Sequence, residues 1–342
     1  MKQILKKWWN GLVYEPSDPR YLTGGSIKIA VIGGGTGLST LLRGLKVYSN
    51  DITAIVAVTD DGSSSGMLKK EYDILPPGDI RQCISALALD EEMISSLMEY
   101  RFKKGNNSLS GHALGNIWIT ALSQQLGSFT KAVEATTEIF KTAGKVLPAT
   151  LSKTEICAVY DDGKTVVGES KIPRPGQRIE KVYLKNGSTG AYSKAAIAIQ
   201  EADLIIFGPG SLYTSVIPNL LIRGIIAAIR KNTKSLNLYV CNCSTERGET
   251  ENYSVKDHIE AIFNHVGGKA FDYCLVNNRV IKKSSNSCAL GNIHNITTSD
   301  KEILGVEIVT ADVISLKKPL YHDPDKLAKE VISLYNKTKS KR

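Results

Sequence analysis

Apolar positions frame the start of the chain. Ile27 to Ile32 is apolar but for Lys28, and it empties into Gly33-Gly34-Gly35-Thr36-Gly37. Beyond the glycines, Leu38, Leu41, Leu42 and Leu45 fall at i, i+3, i+4 and i+7. This spacing predicts a buried strand, a glycine turn and a helix that packs one apolar face on a sheet. Ile52 to Thr59 reads as a second strand and completes a βαβ unit. Pro76-Pro77-Gly78 stops the chain before a helix expected from about Asp79 to Phe102, with further helices around Ala113 to Leu126 and Phe129 to Ala143.

From Val146 to about Tyr192 the period shortens. Ile156 to Tyr160 and Thr165 to Val167 flank Asp161-Asp162-Gly163, a hairpin turn, so this stretch predicts an antiparallel insertion. The α/β pattern resumes at Asp203 to Phe207, with a helix from Pro218 to Arg230 and strands at Leu236 to Asn242, Phe271 to Asn277 and Leu304 to Val309. Asp323-Pro324 opens a final helix, an Asp cap followed by proline at the first helical position. The expected fold class is α/β: a Rossmann-like open, mainly parallel sheet with helices on both faces and a small antiparallel β insertion. The expected organisation is an N-terminal extension 1–26, one α/β domain 27–336 with its insertion near 146–192, and a basic tail 337–342.

Composition narrows the class. The 342 residues are 42% hydrophobic, enough for a large core, and no apolar run reaches the length of a membrane span. Met1 to Gly25 has no apolar signal-peptide core or cleavage site, so a cytoplasmic location is expected. The cysteines, Cys83, Cys157, Cys241, Cys243, Cys274 and Cys288, show no C-x-x-C pair or histidine partner and read as reduced core residues. The net charge of +9 gathers only at the two ends, and no nucleic-acid-binding signature accompanies it. Trp8 and Trp9 beside Lys6 and Lys7 fit either an anionic membrane surface or docking on the chain's own domain.

The candidate chemistry lies in loops after strands. First-turn amides lack intrahelical acceptors and carry the positive end of the helix dipole, and glycines let a phosphate approach them, which makes Gly34, Gly35, Thr36 and Gly37 candidate phosphate ligands. The spelling fits neither G-x-G-x-x-G, since Leu38 stands at the third glycine, nor a Walker loop. Gly208-Pro209-Gly210-Ser211 is a second strand-to-glycine junction, and parallel sheets bind ligands beyond the carboxyl ends of their strands. Gly208, Gly210, Ser211 and Ser215 are therefore candidates too, with helix capping as the alternative for the hydroxyls. Asp60 and Asp61 sit in a serine-glycine loop, where two like charges need a hydroxyl-bearing ligand or Mg²⁺ between them, or plain solvent. Arg81, His112 and Asn116 lie near helix starts: Arg81 is a candidate for bidentate phosphate contact, His112 for phosphate contact or acid-base work against a capping or core role, and Asn116, one turn after His112 on the same side, for ligand contact beside it. Glu249, in a third edge loop, is a candidate for a sugar or ribose hydroxyl.

Eight blocks in order carry a resemblance: GGGTGLS (33–39), VTDDGSSSG (58–66), PPGDIRQC (76–83), GHALGN (111–116), VLPAT (146–150), ADLIIFGPGSLYTSVIPNL (202–220), GETENYS (248–254) with Asp257-His258, and LYHDPDKLA (320–328). Together they resemble the bacterial gluconeogenesis factor (YvcK-like) family, similar in fold to CofD, the 2-phospho-L-lactate transferase. The resemblance implies a cytoplasmic protein that binds a UDP-sugar, UDP-GlcNAc or UDP-glucose, and supports cell shape and cell-wall morphogenesis under gluconeogenic growth. Cell-wall proteins or a kinase are its candidate partners, and a homo-oligomer is an open alternative. The transferase branch implies instead a Mg²⁺-dependent transfer of a phosphoryl-linked group, with Asp60 and Asp61 toward acceptor or metal. No other cofactor is implied. This chain departs from the family pattern at Ser63, at Arg247 in place of proline, across Asn278 to Asp300, and at Tyr321 in place of arginine. An NAD oxidoreductase with Asp60 on the ribose fits only the broad βαβ pattern.

Overall fold

A computed structural model describes residues 27–105, 108–280 and 293–340. Trp8, Trp9, Cys288 and the last two residues lie outside that range. Strand β1 (Ile29–Gly33) is buried at every position because both faces of the sheet are covered. Ala30 and Ile32 point into one apolar layer, and Ile29 and Val31 into the other. Helix α1 (Gly35–Leu45) starts three residues before the first leucine of the apolar stripe and buries Leu38, Leu41, Leu42 and Leu45.

The main sheet has eight strands in the order β10-β11-β9-β8-β7-β1-β2-β3. Its members are β1, β2 (Ile52–Val56), β3 (Gly144–Pro148), β7 (Leu204–Phe207), β8 (Leu236–Val240), β9 (Tyr273–Asn277), β10 (Glu302–Ile303) and β11 (Val306–Ala311). All pair in parallel except the β10–β11 hairpin. The chain runs outward from β1 through β2 to β3, then returns to the other side of β1 as β7. That reversal between β1 and β7 is the topological switch point, where side chains and loops part to leave a crevice.

The three-stranded antiparallel insertion, β5-β4-β6, comprises β4 (Ile156–Tyr160), β5 (Thr165–Val167) and β6 (Ile179–Leu184). It buries Ile156, Ala158, Tyr160, Val166 and Ile179 on one face of the main domain. The insertion is narrower than the expected 146–192, because Val146 and Leu147 belong to β3 of the main sheet.

Several element boundaries differ from the expected ones, each for a local reason. Ser63–Glu71 is helix α2, not a flexible loop after the aspartates: Gly62 adopts extended backbone and releases the serines into the first turn. The helix expected over 79–102 is two, α3 (Gly78–Leu87) and α4 (Glu91–Met98), because Asp90 accepts from Met93 N–H and caps a new start. Helices α5 (Leu114–Leu126) and α6 (Phe129–Ile139) follow, and α7 (Ser193–Glu201) leads into β7. The expected 218–230 helix is broken into α8 (Ile217–Leu220) and α9 (Ile225–Lys231), with Gly224 left-handed at the break, and a π-helical turn (Leu212–Val216) precedes it. Leu304 and Gly305, both at positive φ, turn the expected 304–309 strand into the β10–β11 hairpin. Helix α10 (Val255–Val266) begins with a Ser254–Asp257 capping box. Helix α11 (Pro324–Lys339) takes up Lys337 to Lys339, which therefore form its last turn and not a tail; the carbonyls there favour cations.

Candidate functional site

The β1–α1 and β7 loops leave the sheet side by side, since Ile32 and Phe207 are in register. A Cβ at Gly37 would stand 2.5 Å from the Pro209 carbonyl oxygen and 2.9 Å from Gly210 Cα. Gly37 is thus required by loop-on-loop packing before any ligand is considered. Asn219 binds the loops together, its Nδ2 donating to Gly33 O at 3.0 Å and to Ser215 O at 2.7 Å. Asn242, at the end of β8, brackets Gly210 by accepting from its N–H at 3.2 Å and donating to its carbonyl at 3.0 Å.

Between these loops opens a cavity of about 370 Å³. It is lined by Gly34, Gly35, Thr36, Gly37, Gly210, Ser211 and Ser215 of the glycine loops, by Asn242, Thr245, Glu246 and Arg247 after β8, and by Ile293, Leu320, Tyr321 and His322. The lining combines first-turn amides of α1 with the apolar and aromatic side chains of Ile293, Leu320 and Tyr321, so the pocket offers two chemistries. Gly208 lies behind its lining, at positive φ.

Carboxylates surround the loops from behind. Glu249 is buried, accepting from Thr214 Oγ1 at 2.9 Å and from Tyr213 N–H at 3.3 Å. Burial first, and the charge of Glu246 second, push Glu249 up to about 8. It holds the π-helical turn in place and does not reach the cavity. Glu246 does line the cavity, accepts from Asn242 Nδ2 at 3.1 Å, and is raised by burial. Asp79 is pushed up to about 7 by burial and by Asp60, while a hydrogen bond from the Gly35 amide opposes the shift. Asp79, in the first turn of its own helix, accepts from the Gly35 amide at the start of α1 and lies against Gly34.

Asp60 and Asp61 do not form the expected pair. Asp60 turns inward, accepting from Gly62 N–H at 2.8 Å and adding to the charge felt by Asp79. Asp61 turns outward and accepts from Ser170 N–H at 2.8 Å, in the 3-10 turn Glu169–Lys171 of the insertion. The two carboxylates are therefore held by different partners. Among the described residues no group of three or more His, Cys, Asp or Glu is arranged to hold a metal ion. Beside Asp61, Glu169 accepts from Thr59 Oγ1 at 2.6 Å across 110 residues and is raised well above the usual carboxylate range by burial and then by Asp79. The insertion is thus latched to the end of β2 by two carboxylates. Asp61→Ala is expected to leave the main sheet folded and to raise amide hydrogen exchange selectively in Gly168 to Ile172; unchanged protection there would refute the latch.

Arg81, His112 and Asn116 come together, but away from the cavity. Arg81 Nε donates to Asn116 Oδ1 at 3.0 Å and Nη1 to Met98 O at 3.3 Å; Asn116 Nδ2 donates to Ser64 Oγ at 3.0 Å, and His112 Nδ1 lies 3.0 Å from the same hydroxyl. All four side chains are buried, so they clamp α2, α3 and α5 together. Contact of Arg81, His112 or Asn116 with a phosphate in this pocket is not what the fold arranges. Arg247 and Tyr321 enter the sequence reading only as departures from the family pattern, and Asn242, Glu169 and His322 are absent from its candidate residues. The signal for Asn242 was available, since polar residues directly after a buried parallel strand sit on the ligand edge.

The sheet order and the opposed glycine loops define a class: a doubly wound α/β protein with its ligand crevice at the switch point. A family model described as 2-phospho-L-lactate transferase CofD matches residues 29–314. A putative gluconeogenesis factor of Nostoc is 46% identical over 318 residues, 90% of this chain and 68% of that protein. The gluconeogenesis factor of Bacillus subtilis is 41% identical over 311 residues, 90% of this chain and 98% of its own. The crystal structure of protein BH3568 from Bacillus halodurans superposes with a TM-score of 0.85 at 38% identity, covering 90% of this chain and 100% of that one. The chain belongs to the gluconeogenesis factor family and carries its CofD-type domain. No helix among the described residues is long and apolar enough to cross a membrane.

Proposed function

We propose that this protein is a cytoplasmic UDP-sugar-binding regulator, taking UDP-GlcNAc or UDP-glucose and acting in cell shape and cell-wall morphogenesis during gluconeogenic growth. The observation that carries the binding part is the single cavity that joins the amide-lined glycine loops to Leu320, Tyr321 and His322. A diphosphate meets the α1 N-terminus there, and a base meets the apolar lining. The cellular role follows from the family, as do candidate cell-wall or kinase partners and self-association.

Isothermal titration with UDP-GlcNAc, UDP-glucose and GDP, with Mg²⁺ present, tests the binding. Heat with a UDP-sugar is the expected result, and no heat with any of the three would sink the proposal. Thr36 is exposed at the cradle. Thr36→Glu is expected to weaken binding about 30-fold, the effect of one negative charge roughly 8 Å from the phosphates at an effective dielectric near 20.

A second reading is a CofD-like transferase of a phosphoryl-linked group. The family match favours it, as do the carboxylates of Asp60, Asp79 and Glu169 crowded beside the cradle. Formation of a new phosphodiester from a nucleoside diphospholactate and an acceptor alcohol separates the two readings.

A further inference from the structure

His322 sits between the last strand and α11, its backbone bridged to Ile314, with the next residue, Asp323, donating its N–H to Val313 O at 2.8 Å. Its side chain is 7% exposed and lines the cavity. Burial pushes the imidazole down to about 4, so it is neutral at physiological pH, and the Cys241 carbonyl opposes that shift. A neutral imidazole has one N–H and one lone pair, and the N–H belongs on the nitrogen facing Cys241. The remaining nitrogen, Nε2, is buried without a hydrogen-bond partner. An orphaned acceptor destabilises the free protein and is worth keeping where a ligand satisfies it. His258 also has an unpartnered Nε2, but it packs edge-on against Tyr253 and does not line the cavity, so it has no such use.

We propose that His322 is a specificity-determining residue whose Nε2 accepts a hydrogen bond from the N3–H of a uracil base. This inference rests on the assignment of the cavity to a uridine nucleotide. The placement follows from shared lining: Gly34 to Gly37 and Leu320 to His322 belong to one cavity, so a nucleotide with its phosphates on the first has its base within that same lining. Cytosine presents a lone pair at N3, and two facing lone pairs repel. The site therefore reads uridine over cytidine by the donor at one ring position. Nε2 has no water-accessible surface in the free protein, so the contact requires the cavity lining beside it, which includes the 51% exposed Tyr321, to shift as the base enters.

The test is titration of UDP, CDP and 2′-deoxy-UDP into the wild type, His322→Phe and His322→Gln, each checked for folding by thermal melting. The wild type is expected to bind UDP at least 10-fold more tightly than CDP and to bind 2′-deoxy-UDP like UDP. His322→Phe keeps a flat ring without the acceptor and is expected to bring the UDP to CDP ratio near one. His322→Gln restores an acceptor oxygen and is expected to recover part of the ratio. Equal binding of UDP and CDP by the wild type, or an unchanged ratio in His322→Phe, overturns the inference while leaving the pocket assignment standing. A ratio that tracks the 2′-hydroxyl assigns the acceptor to ribose and overturns it too. Should His322→Phe fail to fold, the wild-type ratio and His322→Gln decide. Absence of binding by any uridine nucleotide overturns the pocket assignment and this inference with it.

Discussion

Gly37→Ala is expected to cost about 2–4 kcal/mol of stability and at least 100-fold in UDP-sugar affinity. The added Cβ would lie 2.5 Å from Pro209 O, 2.7 Å from Pro209 C and 2.9 Å from Gly210 Cα, all of them backbone atoms. No rotamer change relieves that. Either the first turn of α1 lifts off or the β7 loop moves, and Asn242 and Asn219 hold the β7 side by three hydrogen bonds while a fourth, from Asn219 to Gly33 O, ties it to β1. Both halves of the anion cradle shift apart, so binding is lost along with stability. Gly35→Ala is the control. Nothing lies within 4 Å of a Cβ there, but φ is +64°, and the left-handed conformation costs only about 1 kcal/mol for alanine. Urea unfolding and titration calorimetry on both variants check the contrast. Equal effects at the two positions would show that loop-on-loop packing does not govern the site.

Stability is expected to fall by about 1–2 kcal/mol between pH 6.5 and 8. Glu249, raised to about 8, and Asp79, raised to about 7, keep their protons in the folded state, whereas the unfolded chain has already released them. The folded state then binds more protons than the unfolded one, so stability decreases as pH rises from the unfolded carboxylate range, near 4, until the folded values are passed. Glu169 moves in the same direction. His258 and His322, both lowered to about 4, act oppositely: the unfolded imidazoles take up protons below about 6.5, so these residues favour folding as pH rises from 4 to 6.5. Between 6.5 and about 7.5 the last of the histidine contribution, about 0.4 kcal/mol for each, offsets part of the carboxylate loss, and above that the carboxylates alone govern. Denaturant midpoints at pH 6.5 and 8, compared with Glu249→Gln and Asp79→Asn, test this. Flat stability in the wild type, or the same slope in both variants, would refute it. Ligand affinity should fall over the same interval, because ionised Glu249 adds charge behind Glu246 in the cavity lining.

Strand β1, the glycine turn, helix α1 and the return through Asp203 to Phe207 were legible in the sequence because each follows from residues within about ten positions. Uninterrupted apolar runs demand a sheet covered on both faces, and a leucine stripe at helical spacing demands a helix. The ordered blocks carried the family for the same reason, as they are local spellings of turns and caps. The two glycine loops were therefore placed on one ligand edge before any coordinates.

The tertiary structure decided where the side chains near that edge point. Adjacent aspartates looked like one site, yet helix α2 begins at Ser63 and sends Asp60 toward Asp79 and Asp61 toward the insertion. Arg81 looked like a phosphate ligand from its place near a helix start, yet the approach of α5 turns it inward onto Asn116. Asp79 reached the α1 N-terminus, Glu169 reached Thr59 across 110 residues, and Leu320 to His322 joined the lining of the cavity. These are contacts between segments brought together by strand order. Neighbouring residues in sequence fix the hydrogen-bonding period of the backbone, whereas a side chain's partners depend on which distant loop the sheet topology sets beside it.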